Sequence, residues 1–338
     1  MKFHFEFDIK KLQYPVAYQH KLLLMGSCFT ENIGEKLRKH KFATLENPNG
    51  ILFNPVSVAE AVTMYIENKR TTISEIFQYN ETWHSWKHHS RFSCITAEEC
   101  LQKINVSVSE AHAYLKKADH LLITLGSAWL YTLTDKAANA QPGSVAANNH
   151  KAPADWFQKR LMSAEETVSV LNEMLDKLLK FNPDLHIIFT ISPVRHLREG
   201  MIENNRSKAV LIQAVHQLVE KFEATYYFPA YELVIDDLRD YRFYAEDLVH
   251  PNYQATQYVW EKFTEACMKD ETRELMKEIA DINLAFQHKP FNEKTGLHRK
   301  FLASYFTKTR VLQKKYSFLN FENELNYFGD GNTDSGWC

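Results

Sequence analysis

The chain is poor in the features that mark several large protein classes. Its 338 residues include only five cysteines, Cys28, Cys94, Cys100, Cys267 and Cys338. The number is odd, and the spacings match neither a zinc ribbon nor a Cys-x-x-Cys pair. A disulfide scaffold is therefore not expected, and a reducing, cytoplasmic setting is. No apolar run approaches the ~20 residues of a membrane span. The N-terminus, Met1-Lys-Phe-His-Phe-Glu-Phe-Asp8, lacks the apolar core of a signal peptide. With a net charge of -2, the chain has no electrostatic reason to seek nucleic acid or an anionic membrane. Walker loops, Gly-x-Gly-x-x-Gly and zincin motifs are missing, so no cofactor is expected. There is no internal repeat. Local basic groups, such as Arg299-Lys300 and Lys308, Arg310, Lys314 and Lys315, read as solvated helix faces.

What is present is a globular composition, 45% hydrophobic, in which short apolar runs alternate with helical stretches. Lys21-Leu-Leu-Leu-Met25, Lys41-Phe-Ala-Thr-Leu45, His120-Leu-Leu-Ile-Thr-Leu125, His186-Ile-Ile-Phe-Thr-Ile191 and Thr225-Tyr-Tyr-Phe228 read as strands one to five. Helices are expected over about 31–40, 56–69, 163–180, 207–221 and 251–270. The strand interiors carry no charge, which implies a parallel sheet covered on both faces, with right-handed crossovers. Residues 70–100 read as irregular and aromatic-rich, and 134–153 as a long polar loop. From 271 the pattern changes to charged helices. The expected division is an α/β domain over 1–270, a helical C-terminal extension over 271–328, packed on the core or used for self-association as a homo-oligomer, and a disordered tail over 329–338.

In an open parallel sheet, ligands bind beyond the carboxyl ends of the strands. After strand one comes Gly26-Ser27-Cys28-Phe29-Thr30, a glycine, two nucleophile candidates and a helix start. A helix N-terminus lowers a thiol pKa and offers backbone N–H groups to an oxyanion. The same residues also suit a small-residue turn with an inert cysteine. Beyond strand five comes Asp247-Leu-Val-His250-Pro-Asn252. An Asp three residues before a His can hold Nδ1–H and leave the other nitrogen free to take a proton from a nucleophile. A helix-capping Asp beside a surface His is the plainer reading. Asn49-Gly50 after strand two and Gly126-Ser-Ala-Trp129 after strand three let backbone approach a ligand. Arg195-His196 after strand four suits a carboxylate or charged tail, or a core ion pair. His84 and His88 could share a helical face and bind metal, with Glu81 and Cys94 nearby. The spacing completes no ligand set, so no metal is expected and a structural loop is the leading reading.

The chain order of elbow, Gly, Gly and Asp-x-x-His resembles the SGNH (GDSL-type) hydrolase superfamily. More closely, it is similar to GSCFA-domain proteins, named for Gly-Ser-Cys-Phe-Ala, with Thr30 in place of the final Ala. Matching segments include Asn47-Pro-Asn-Gly-Ile-Leu-Phe-Asn54-Pro55, Thr124-Leu-Gly-Ser-Ala-Trp129, Ser192-Pro-Val-Arg-His196, Ser207-Lys-Ala209 and Tyr241-Arg-Phe-Tyr-Ala-Glu-Asp247. They span about residues 20–268. The resemblance implies a flavodoxin-like α/β/α sheet of order 2-1-3-4-5 and an esterase or acyl-transfer activity. Register against Gly-Asp-Ser puts Cys28 at the nucleophile; the superfamily's serine chemistry favours Ser27. By the same resemblance, Gly50 N–H and the elbow N–H face the oxyanion. Ala128 stands where the superfamily has an oxyanion-hole asparagine. Asn148, Asn149, Asn54 and Asn49 are candidate replacements, and His150 and Lys151 candidate substrate contacts. The expected function is hydrolysis of a small ester or acylated sugar through a Cys/Ser-His-Asp triad. A non-catalytic binding module and an O-acyltransferase are the alternatives.

Overall fold

The structure, a computed structural model, describes residues 5–330. Strand β1 (Lys21–Gly26) leads into α1 (Cys28–Lys39), β2 (Ala43–Glu46) and α2 (Pro55–Glu67). A hairpin, β3 (Ile76–Tyr79) and β4 (Thr82–Ser85), precedes α3 (Ala97–Leu115) and β5 (His120–Leu125). A second hairpin pairs β6 (Trp129–Leu133) with β7 (Phe157–Leu161). Then follow α4 (Ala164–Phe181), β8 (His186–Ile191), α5 (Met201–Lys221) and β9 (Thr225–Tyr227). A single turn, α6 (Ala230–Glu232), runs into a π-helical turn at Leu233–Leu238. The chain finishes with α7 (Tyr253–Cys267), α8 (Asp270–Gln287), α9 (Gly296–Lys315) and α10 (Glu322–Asp330).

The central sheet has order β2-β1-β5-β8-β9 with every pairing parallel. Counted among core strands alone, that is the expected 2-1-3-4-5. Both faces are covered: every residue of β5 is buried, as are the last five of β1 and of β8. One face packs against α2, α3, α4 and α5 through Leu23, Met25, Leu121, Ile123, Ile187 and Phe189. On the other face Leu22, Leu24, Leu122 and Ile188 share a core with α1, α7 and the C-terminal helices. Each side chain of this size contributes roughly 1.5–3 kcal/mol when fully buried.

The helices begin where the sequence supplies caps. Ser27, Asn54, Thr96, Ser163, Asn252 and Thr295 each accept a backbone N–H within the first turn of the helix that follows. The sheet-to-helix turn at β1 requires glycine. Gly26 has φ +130°, and a Cβ there would lie 2.1 Å from Thr124 O on β5.

The C-terminal helices lie on the core. Ile279, Ile282, Phe321 and Phe328 are fully buried against it, and Lys41 pairs with Glu324 at 2.8 Å. Two expectations need correction, and a third holds. Residues 70–100 are ordered into the β3–β4 hairpin and the start of α3. Its turn residues, Asn80 and Glu81, take φ +45° and +66°, as a two-residue hairpin turn demands. The polar stretch at 134–153 is a loop, as expected, and connects the β6–β7 hairpin. Of the tail expected at 329–338, Gly329 and Asp330 belong to α10, and the remainder lies outside the described residues.

Candidate active site

The carboxyl ends of β1, β5 and β8 gather most of the sequence-predicted residues. Gly26 O accepts from Leu52 N–H at 2.9 Å, and Phe53 O accepts from Gly126 and Ser127 N–H at 2.8 and 3.0 Å. The Leu52–Asn54 segment is thereby laid across the ends of β1 and β5.

Ser27 and Cys28 part company at the elbow. Ser27 is fully buried, and its Oγ caps α1 by accepting from Phe29 N–H at 3.3 Å. Cys28, the first residue of α1, is half-buried and opens into a polar groove with Glu31, Asn32, Glu35, Arg38, Glu46 and Arg91. Burial, then Glu31, push the Cys28 thiol up. Its own backbone N–H, the Lys208 ammonium and the Phe29 N–H oppose that rise without cancelling it. A resting thiol of this kind needs a base.

The Asp247–His250 pair is arranged in the loop before α7. Asp247 Oδ2 receives His250 Nδ1–H at 2.7 Å, while Oδ1 accepts the backbone N–H of Val249 and His250 at 2.9 and 3.0 Å. The His250 backbone N–H, its imidazole and the Val249 N–H hold the Asp247 carboxyl down to about 2. With Nδ1 engaged, Nε2 is the ring nitrogen left to accept a proton. The intervening Leu248 takes φ +58°, a left-handed backbone that costs a branched residue on the order of 1–2 kcal/mol.

Arg195 secures that loop. Its backbone N–H donates to Val249 O at 3.2 Å and its guanidinium to Leu248 O at 3.2 Å, and it lies 4.2 Å from the Tyr244 ring centre. These contacts make Arg195 a clamp on the Asp247–His250 loop, in place of the substrate contact or core ion pair expected.

Beside Gly126 lies a cavity of about 260 Å³ lined by Phe53, Asn54, Trp129, Tyr131, Asn148 and His196, among others. Gly126 belongs there because a Cβ would come 2.9 Å from Phe53 Cδ1 and 3.0 Å from His196 Nε2. Asn54 Oδ1 is fixed as the α2 cap by Ser57 N–H at 2.8 Å, leaving Nδ2 as the amide's donor. Asn148 Oδ1 accepts from His150 N–H at 2.9 Å. Burial pushes His196 down to about 3, and the Lys208 and His250 charges press the same way.

Other expected contacts are placed elsewhere. Asn49 is 1% exposed, with Oδ1 taken by Tyr65 OH at 2.9 Å and Nδ2 by Lys87 O at 3.2 Å. It braces the loop after β2, with both ends of its amide engaged. His150 packs among Phe77, His84 and Trp86, with Nε2 2.9 Å from Ser85 O, so it belongs to a small core. Gly50, at φ +81°, closes its turn by donating N–H to Asn47 O at 2.7 Å. Ala128 is fully buried, with its N–H on Ser207 Oγ at 2.7 Å, so an oxyanion amide is not to be sought there. His84 and His88 share no helical face. His84 lies in β4 between Thr82 and Ser93, and His88 bonds Ser85 Oγ at 2.9 Å. Among the described residues no group of three or more His, Cys, Asp or Glu is placed to hold a metal, and no helix is long and apolar enough to cross a membrane.

Lys208, quoted in the sequence only within the Ser207-Lys-Ala209 segment and given no role there, reaches the same sheet ends. It lies on the buried face of α5, 1% exposed, and its Nζ donates to Gly126 O and Ser192 O at 2.7 Å each. Asn204, Lys208, Leu211, Val215 and Leu218 form one helical stripe, so the periodicity that marks the apolar face runs through the lysine.

A flavodoxin-like α/β protein with an Asp–His pair at the sheet's carboxyl end is the class these observations define. The chain belongs to the GSCFA family, whose match covers residues 21–263; residues 279–332 match the C-terminal domain of GSCFA domain proteins. No curated protein matches. Among solved structures it is similar to a carbohydrate esterase family 3 protein from Talaromyces cellulolyticus, at 10% identity and TM-score 0.34, over 78% of this chain and 99% of that one. It is also similar to the acetyl xylan esterase Est2A from Butyrivibrio proteoclasticus, at 11% identity and TM-score 0.37, over 74% of this chain and 64% of that one.

Proposed function

We propose that the protein is an acyl hydrolase of SGNH type, acting through Cys28, His250 and Asp247. The observation that carries this reading is the Asp247–His250 pair, bonded at 2.7 Å in a strained and clamped loop. Cys28 is the nucleophile, because Ser27 is buried and its oxygen occupied. His250 Nε2 takes the thiol proton as sulfur attacks the acyl carbon, then returns it to the leaving alcohol. Water, deprotonated by His250, releases the acid and restores the thiol. The oxyanion meets the Cys28 N–H at the start of α1, and the Asn54 amide serves in place of the asparagine that Ala128 lacks. The substrate we assign is a small ester or an acylated sugar, its acyl carbon at Cys28 in the polar groove and its remainder toward the cavity beside Trp129 and Tyr131.

The test is hydrolysis of p-nitrophenyl acetate by the wild-type chain beside His250→Ala. Equal rates would sink the proposal. The hydrogen bond from Gly50 N–H to Asn47 O favours a second reading, a binding module without turnover. Ligand binding at the cavity with an unreactive ester panel would select it. Product analysis with added alcohols separates hydrolysis from O-acyl transfer. A cytoplasmic setting and self-association through α8–α10 are proposals too, addressed by fractionation and by sedimentation.

A further inference from the structure

We propose that the cavity beside Gly126 reads a carboxylate on its ligand, through Arg198, Asn148 and Asn149. This names the substrate class of the proposed hydrolase, an ester whose alcohol part carries a carboxylate, and rests on that reading for the ester alone. The chemistry of the cavity wall carries it. Asn54, Asn148 and Asn149 all line the cavity. Each Oδ1 already accepts a backbone N–H, from Ser57 at 2.8 Å, His150 at 2.9 Å and Lys151 at 3.4 Å. A backbone N–H can only donate, so the other end of each amide is the Nδ2 donor. Among the described residues no protein acceptor meets any of the three Nδ2 groups. The wall's carboxylate is consumed: Tyr131 OH donates to Glu199 Oε1 at 2.5 Å, and Lys159 Nζ to Oε2. Ser127 Oγ accepts from Trp129 N–H at 3.2 Å. What these side chains leave for a ligand is donors.

Arg198 supplies the charge. It lines the cavity with its guanidinium 5.3 Å from the Tyr131 ring centre. Among the described residues no carboxylate lies within ion-pair distance of it. Glu199 and Lys159 cancel, so the wall is left with the single positive charge of Arg198, which matches a monoanion. A guanidinium fork and planar amides suit the two coplanar oxygens of a carboxylate. The groove at Cys28 offers no such cation, because Arg38 pairs with Glu46, and Arg91 with Glu31 at 3.3 Å. The reacting end of the ligand therefore belongs at the groove and its charged end in the cavity. With Asn54 Nδ2 assigned to the oxyanion, Asn148, Asn149 and Arg198 remain for the carboxylate. His196 Nε2, buried at the same wall without a hydrogen-bond partner, is a further polar atom that a bound ligand would satisfy. Arg195, expected to hold a charged tail, is spent on Leu248 O, and the turn Leu197–Glu199 supplies the next arginine in the chain.

The experiment is calorimetric titration of the full chain with 4-hydroxybenzoate and with its methyl ester, two probes that differ in the carboxylate charge. The wild-type chain should bind the carboxylate at least about tenfold more tightly than the methyl ester, as a charge-assisted pair implies. Arg198→Gln should lose most of that preference. Arg198→Lys keeps the charge without the fork and should retain part of it. Added salt should narrow the preference in the wild-type chain. Arg198 is exposed, so its replacement leaves the core intact. Equal affinity for the two probes, no binding of the carboxylate, or an undiminished preference in Arg198→Gln overturns the proposal. Binding needs no ester turnover. The same preference in a chain that hydrolyses neither 4-acetoxybenzoate nor its methyl ester would keep the carboxylate site and sink the hydrolase. Hydrolysis of both esters, at a kcat/KM ratio that Arg198→Gln does not change, would do the reverse.

Discussion

Replacing Ser27 by alanine separates the two hydroxyl and thiol candidates that adjoin at the elbow. The change removes one hydrogen bond, from Phe29 N–H to Oγ at 3.3 Å, at a site with no solvent exposure. Loss of a serine N-cap costs about 0.5–2 kcal/mol, and the length of this bond favours the lower half of that range, near 1 kcal/mol. With roughly 2.1 cal/mol/K of unfolding entropy per residue, 338 residues convert this into a Tm lowered by about 1.5 °C. Turnover of p-nitrophenyl acetate should stay within about threefold of wild type, because the capped helix retains its N–H groups and Cys28 is untouched. Cys28→Ala should do the opposite, with Tm nearly unchanged and turnover reduced by at least ~10³-fold. Calorimetry and initial rates on the two variants decide the matter. If Ser27→Ala abolishes turnover while its Tm barely moves, the assignment of Ser27 to structure is wrong.

Asp247→Asn should lower kcat by about 10⁴-fold with little change in stability, since the asparagine no longer fixes the imidazole tautomer; steady-state kinetics and urea melts read the two effects. Gly126→Ala should impair turnover more than folding, because the new methyl meets Phe53 and His196 at the cavity wall; kcat/KM compared with Tm tests this. Acid should destabilise the fold through its buried histidines. His88, His120 and His196 are lowered to about 3 and His150 to about 4, in each case first by burial. The unfolded chain, with histidines near 6.5, binds more protons below that pH, so stability is full above about 6.5 and is lost as pH falls toward the folded values. Urea midpoints at pH 7.5 and pH 5.5 should show the lower value at pH 5.5, and equal midpoints would refute it.

The sheet was legible because β1, β5 and β8 are buried on both faces and so read as nearly unbroken apolar runs, two of them stopped by Gly26 and Gly126. Where burial is one-sided the signal faded. In β7, Gln158, Lys159 and Arg160 are exposed, and nothing in Phe-Gln-Lys-Arg-Leu announces a strand. The β3–β4 turn uses Asn80-Glu81, and a glutamate with φ +66° is not a turn signature. Helix α3 was readable from Cys100, Ile104, Val108, Ala111 and Leu115, a plain helical stripe that went unassigned. At the site, Asp-x-x-His is a local motif, and three residues suffice to form the pair. Asn49 and His150 misled because sequence gives the residue but not the direction of its side chain; both are consumed by neighbours distant in the chain, Tyr65 and Ser85. Lys208 was hidden for the converse reason. A lysine in a helix is ordinarily solvated, and only tertiary packing turns this one under the sheet ends.

The most direct test of the account is intact-protein and peptide mass spectrometry during turnover of p-nitrophenyl acetate, quenched with acid. The account predicts one added acetyl group, on the peptide bearing Cys28, sensitive to hydroxylamine and absent from Cys28→Ala. Undiminished turnover by Cys28→Ala, or an acetyl group carried by Ser27, would contradict it.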